Sequence, residues 1–218
     1  FCDLLLADEI NRTPPKTQAA LLEAMQERRV TLDGETHALP DRFMVVATQN
    51  PIENQGVYPL PEAQLDRFLF KLLIPYPDEA EEARIVTMFG QRQGPARPAE
   101  LGVTAVDGAN SVAELRQAVT SVTMASEVTD YIVRLVRSTR ENLELSSGAS
   151  PRAAVLLANA ARARAALQGR DYVIPDDVKA LATSVLRHRL VLSPAAEIEG
   201  RVMEELVAEL VETTEAPR

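Results

Sequence analysis

Leu4-Leu5-Leu6-Ala7-Asp8-Glu9 is the stretch on which the fold turns: an unbroken apolar run stopped by two adjacent carboxylates. Short continuous apolar runs read as strands buried on both faces, the pattern of a parallel sheet. In open α/β sheets ligands bind outside the carboxyl ends of the strands. Asp8 and Glu9 therefore stand where a site is expected. Phe43-Met44-Val45-Val46-Ala47 and Phe68-Leu69-Phe70-Lys71-Leu72-Leu73-Ile74 repeat the pattern. Between the first two runs lies a helix, with Thr13 as cap, Pro14 in the first turn, and Leu21, Leu22 and Met25 at helical spacing. Arg29 to Leu32 and Thr36 to Leu39 flank Asp33-Gly34, a two-residue hairpin signal.

From about Pro77 only helical signals remain. Asp78 to about Gly90 is the first, and 91–110 is a connector rich in Pro, Gly and Ala. Ser111 with Glu114 forms a capping box, and further helices are expected at about 126–141, 150–168, 175–189 and 194–213. Pro151, Pro175 and Pro194 mark three of their first turns. The expected organisation is a partial α/β domain over 1–77 and a helical domain over 78–218. Phe1, not Met, opens the chain inside an apolar run, which reads as a fragment of a longer protein.

The 218 residues carry a formal net charge of -9, which disfavours a nucleic-acid partner. The single cysteine forms no internal disulfide, and no run approaches the roughly 20 apolar residues of a membrane span. The N-terminus has no basic, signal-like region, so the cytoplasm is the default location.

Four motifs carry chemistry, each with a plainer reading beside it. Asp8 is placed to hold Mg²⁺ against phosphate oxygens, and Glu9 to polarise a water; the same residues also read as a solvated strand end. Asn50, in Val45-Val46-Ala47-Thr48-Gln49-Asn50-Pro51, is placed to orient that water; Asn-Pro is also a common turn. Arg67, in Pro61-Glu62-Ala63-Gln64-Leu65-Asp66-Arg67-Phe68, is placed to reach a neighbouring subunit's phosphate, or to pair with Asp66 at the surface. Arg152, in Ser150-Pro151-Arg152-Ala153, is a cation at the positive end of a helix. That position suits a docked anion, or else a solvated side chain. Cys2 reads as a buried inert thiol, His37 as exposed on the hairpin, and His188 as a cation ending a helix. Arg162 and Arg164 read as a solvated face.

Taken in order, these motifs resemble the AAA+ superfamily. LLLADEINR, ALLEAMQER, VTLDGETHALP, VVATQNPIE and YPLPEAQLDRF resemble the MoxR family in particular, and the stretch from Ser150 to Ser193 resembles its helical lid. The resemblance implies the C-terminal part of a P-loop AAA+ core, with parallel strands, helices and a β-hairpin insertion, followed by an all-α lid. It implies an ATPase using ATP and Mg²⁺, with Asp8 and Glu9 as the Walker B pair, Asn50 as sensor 1, Arg67 as arginine finger and Arg152 as sensor 2. The hairpin from Arg29 to Leu39 would face the pore of a ring, expected to be a hexamer. Chaperone-like remodelling of a client, with a von Willebrand factor A-domain partner, is implied as well. A nucleic-acid motor of the same superfamily and a non-catalytic helical interaction module are the competing readings. The sequence departs from the family in one respect. No G-x-x-x-x-G-K-[ST] loop occurs in it, so these residues by themselves are expected to bind ATP weakly and to be inactive alone.

Overall fold

In the computed structural model the first apolar run pairs with the second. Strand β1 (Leu4–Ala7) lies parallel to β4 (Met44–Ala47), with Leu4 opposite Met44 and Ala7 opposite Ala47. The structure describes residues 2–50, 56–91, 94, 97–104 and 109–217, and the backbone alone at 109–111. Pro51, read above as part of an Asn-Pro turn, and the Ser111 side chain, read as a helix cap, lie outside the described residues.

The crossover between β1 and β4 holds α1 (Pro15–Glu27) and an antiparallel hairpin, β2 (Arg29–Leu32) with β3 (Glu35–Ala38). Asp33 and Gly34 at its tip have φ 50° and 85°. Positive φ at both central residues is what a type I′ turn requires. Pro14, not Thr13, occupies the cap position of α1. The Thr13 hydroxyl is instead spent on the Ile10 carbonyl.

Two expectations for the sheet are corrected. Leu5, Val45 and Ala47 pack toward α1 and its neighbours, with Leu22, Leu39 and Phe43 in the buried clusters. Leu4, Leu6, Met44 and Val46 are exposed at 45–62%, so among the described residues β1 and β4 are covered on one face only. The run from Phe68 to Ile74 forms no strand. A strand exists through its ladder, and the Lys71 N–H here goes to the Ser184 carbonyl at 2.9 Å. A short helix, α2 (Glu62–Leu65), precedes that run. Cys2 is exposed, not buried, because it precedes β1 and is not part of it.

The chain divides into two compact units, residues 1–71 with 119–218, and residues 72–118. The smaller unit carries α3 (Glu79–Phe89), capped by Asp78 through a capping box with Glu81, a short 3-10 turn at Pro98–Leu101, and α4 (Ala109–Ser121) as far as Ala118. The larger unit continues with α5 (Ser126–Glu141), β5 (Leu145–Ser147), α6 (Pro151–Leu167), α7 (Pro175–Leu186), β6 (Val191–Leu192), α8 (Pro194–Ile198) and α9 (Met203–Thr213). Its helical core is closed by Tyr131, Ile132, Leu135, Leu157, Leu186 and Leu206, each at most 1% exposed. The single helix expected over 194–213 is two. Gly200, at φ 74°, ends the first, as a left-handed residue after a helix does. Arg201 then ties the break to Glu144 at 2.6 Å.

The face read as solvated is engaged. Asp177, 1% exposed, takes two hydrogen bonds from Arg170 at 2.6 and 2.8 Å and one from the Ile174 N–H at 3.0 Å. Arg164 joins it at 3.5 Å, and Arg162 donates to the Val122 carbonyl. Burial alone would raise the Asp177 pKa, but the Arg170 and Ile174 hydrogen bonds outweigh it and hold the carboxyl below its ordinary value.

Candidate functional site

Parallel pairing brings the two strand ends side by side, and one hydroxyl joins them. Thr48 Oγ1 donates to Asp8 Oδ1 at 2.5 Å and accepts from the Glu9 N–H at 2.8 Å. A hydroxyl has one proton and two lone pairs, so it serves both contacts at once. The backbone closes the same junction, with Thr48 N–H on the Ala7 carbonyl and Ile10 N–H on the Thr48 carbonyl, both at 3.0 Å.

Glu9 adopts φ 48° and ψ 51°, the left-handed region. For a residue with a side chain this costs roughly 1–2 kcal/mol, a kind of strain that clusters at functional sites. Its carboxylate meets Arg12 at 3.1 Å in a pair more than a third exposed, a weak tie that leaves it accessible. Asn50 is half-buried at the end of the segment leaving β4, and its carbonyl accepts from Asn11 Nδ2 at 3.2 Å. Gln18, 2% exposed, fastens the floor by donating to the Ile10 and Tyr58 carbonyls at 3.0 and 2.9 Å.

Arg152 lies elsewhere in the same unit, in the first turn of α6 and exposed. Ser150 occupies the cap position but makes no cap hydrogen bond. Its hydroxyl turns to Asp66 Oδ2 at 3.4 Å. The approach to α6 is held by Gly148, where a Cβ would meet the Thr139 carbonyl at 2.7 Å and Arg140 Cα at 2.8 Å, so the chain passes flush against α5. Thr139 accepts from the Ala149 N–H at 3.0 Å, and Arg140 Nε donates to the Ala149 carbonyl at 2.7 Å. Arg67 is half-buried on a depression it shares with Glu23, Gln26, Glu27 and Gln64, and its guanidinium makes no hydrogen bond or ion pair to another described residue. The structure thus brings Asp8, Glu9 and the segment carrying Asn50 together. Arg152 and Arg67 lie beside a second cluster centred on Asp66. No hydrogen bond or ion pair among the described residues joins Asp8 or Glu9 to Arg152.

That second cluster escaped sequence reading. Arg189 is buried and donates from Nε to Asp66 Oδ1 at 2.8 Å. Burial pulls its pKa below the ordinary arginine value, and Asp66 opposes the shift. Beside it His188 is 6% exposed and is not the helix-ending cation expected. Burial foremost, with Arg189 and Lys71 nearby, pushes its pKa down to about 4, against the Phe68 carbonyl and Asp66, which favour the proton. His188 Nε2 lies 2.7 Å from Arg189 and 3.0 Å from the Phe68 carbonyl, and which of the two it bonds follows from the tautomer of the ring. The unfolded chain takes up a proton near pH 6.5 and the folded one only near 4. Stability present above pH 6.5 is therefore lost as pH falls between these values, by roughly 3 kcal/mol at about 1.4 kcal/mol per unit. Urea unfolding at pH 7 and pH 4.5 should show this loss, and His188→Gln should lack most of it. Equal pH slopes in both proteins would contradict the assignment.

Residues 1–70 match the model of the ATPase family associated with various cellular activities (AAA), and residues 137–210 match the AAA lid domain. A solved structure from Cytophaga hutchinsonii, assigned as an ATPase, superposes with a TM-score of 0.89 at 36% identity, over 99% of this chain and 67% of that one. The chain belongs to the AAA+ ATPases of the MoxR family. It is 46% identical to the protein YeaC of Bacillus subtilis, over 99% of this chain and 66% of that protein. To the chaperone MoxR1 of Mycobacterium tuberculosis it is 42% identical, over 99% of this chain and 58% of that protein. It therefore spans about three fifths to two thirds of the length of these relatives.

Proposed function

We propose that the whole protein is an Mg²⁺-dependent ATPase whose turnover drives chaperone-like remodelling of a protein partner. The observation that carries this reading is the Asp8–Thr48–Glu9 junction, two accessible carboxylates at the carboxyl ends of parallel strands, one of them on a strained backbone. Asp8 is held by a neutral hydroxyl donor, which leaves its carboxylate open to a cation. Among the described residues no group of three or more His, Cys, Asp or Glu is gathered for a metal. That suits Mg²⁺, which is bound by one or two carboxylates together with substrate phosphates and water. When bound, Mg²⁺ would neutralise charge developing on the phosphate oxygens.

In this reading Asp8 binds the metal, Glu9 orients and deprotonates the attacking water, Asn50 positions it, and Arg152 reaches the nucleotide from the lid. Arg67 acts on the neighbouring subunit of a ring, a hexamer in the family's manner. Residues 1–77 belong to the nucleotide-binding core and 78–218 to the lid. The hairpin from Arg29 to Leu39 lines the pore, and a von Willebrand factor A-domain protein serves as partner in the cytoplasm. The net charge of -9 weighs against a nucleic-acid motor. Without a G-x-x-x-x-G-K-[ST] loop, residues 1–218 alone bind ATP weakly and are inactive.

The test is phosphate release by the purified whole protein with ATP. Release should require Mg²⁺ and stop with EDTA. Loss of the metal clamp is worth several kcal/mol, so Asp8→Asn should slow turnover at least ~100-fold. Turnover that survives EDTA, or an Asp8→Asn protein as fast as wild type, would reject the proposal.

A further inference from the structure

Arg189 touches the backbone on both sides of Arg67 and leaves Arg67 itself alone. Its NH2 donates to the carbonyls of Asp66, at 3.0 Å, and Phe68, and its NH1 donates to the Leu69 carbonyl at 3.2 Å. Nε takes the Asp66 carboxylate at 2.8 Å. The side chain, 1% exposed, is anchored in turn by the Val185 carbonyl and His188 at the end of α7. Guanidinium offers five N–H donors in a rigid plane, and here they spread over one short segment and one helix end.

Two further ties run between the same regions. Ser150, two residues before Arg152, donates to the second Asp66 oxygen at 3.4 Å, and the Lys71 N–H bonds the Ser184 carbonyl of α7 at 2.9 Å. Arg67 contributes only its backbone N–H to the Gln64 carbonyl, at 3.2 Å. Its guanidinium projects from a segment whose position is set by the C-terminal end of α7 and the N-terminal end of α6.

We infer that Arg189 is a positioning residue for Arg67: through Asp66, Phe68 and Leu69 it fixes the turn from which Arg67 acts, so the helical lid sets where that guanidinium points. The inference rests on the role proposed above for Arg67. A displacement of about 1 Å far from the chemistry can cost about 100-fold in rate, and a lysine keeps the charge but cannot span the three carbonyls and the carboxylate together.

The experiment uses the whole protein and compares Arg67→Ala, Arg189→Lys, Arg189→Met and the double variant Arg67→Ala/Arg189→Lys. It measures kcat, ATP affinity by equilibrium binding, and thermal unfolding. We expect Arg189→Lys to unfold cooperatively and bind ATP as wild type does, with kcat reduced about 100-fold. In the Arg67→Ala background the same substitution should cost nothing further, because the group it positions is gone. An Arg189→Lys protein with wild-type kcat, or one whose loss multiplies that of Arg67→Ala, overturns the inference while leaving the ATPase reading intact. Failure of both Arg189 variants to fold overturns it as well, since Arg189 would then be a structural member only. An Arg67→Ala protein with full kcat removes the role of Arg67 itself, and with it the reason to position that residue.

Discussion

Glu9→Gln in the whole protein is expected to bind ATP as tightly as wild type and to release almost no phosphate. The substitution is isosteric, and what holds residue 9 in place does not depend on its carboxylate. Its N–H is taken by Thr48 Oγ1 at 2.8 Å, and the strained φ of 48° is imposed by the junction of β1 and β4. Asp8 keeps its own bond to Thr48. What disappears is the carboxylate that, in the proposed reading, accepts a proton from the attacking water. General-base catalysis is worth about 10²–10⁴ in rate, and turnover should fall by that factor. Equilibrium binding of ATP set against steady-state phosphate release separates the two effects. A Glu9→Gln protein that turns over normally would show that the carboxylate is not the base.

The second large effect is Arg67→Ala, for which a loss of roughly 10³–10⁵ in turnover is expected if the guanidinium meets transition-state charge. The geometry supports action outside the subunit that carries it. Arg67 is half-buried, opens onto a depression beside Glu23 and Glu27, and pairs with no described residue, while Asp66 next to it is fully engaged by Arg189 and Ser150. Complementation tests the direction. In a ring mixed from Arg67→Ala and Glu9→Gln subunits, some interfaces combine an intact Glu9 from one subunit with an intact Arg67 from the next. Activity should therefore reappear on mixing two inactive proteins. A mixture that stays inactive while rings form would place the role of Arg67 within its own subunit, or remove it.

Both substitutions act on residues that the sequence singles out, Glu9 at the end of an apolar run and Arg67 just before another, because apolar runs and helix starts announce themselves locally. An apolar run ended by Asp8-Glu9, a second ended by Thr48-Gln49-Asn50, and Pro151 opening a helix are patterns of period and punctuation. They need no knowledge of what lies across the fold. The same logic located α1, the Asp33-Gly34 hairpin, α5 and α6. It failed where hydrogen bonding, not hydrophobicity, decides. Phe68 to Ile74 has the composition of a strand, yet a strand is defined by its neighbour, and the Lys71 N–H goes to Ser184. Positions 194–213 have helical periodicity throughout, yet Gly200 turns left-handed and Arg201 finds Glu144 across the fold.

The class of fold, the carboxylate pair at positions 8 and 9, and the order of the motifs that follow can be read along the chain, because each is written in contiguous residues. It takes the folded chain to show that Thr48 joins Asp8 to the Glu9 backbone, that His188 is buried with its pKa pushed down to about 4, and that Arg189 grips the turn bearing Arg67, 123 positions away from Asp66. Those contacts depend on direction and burial, and a charged side chain in a sequence looks the same whether water or a buried carboxylate will receive it.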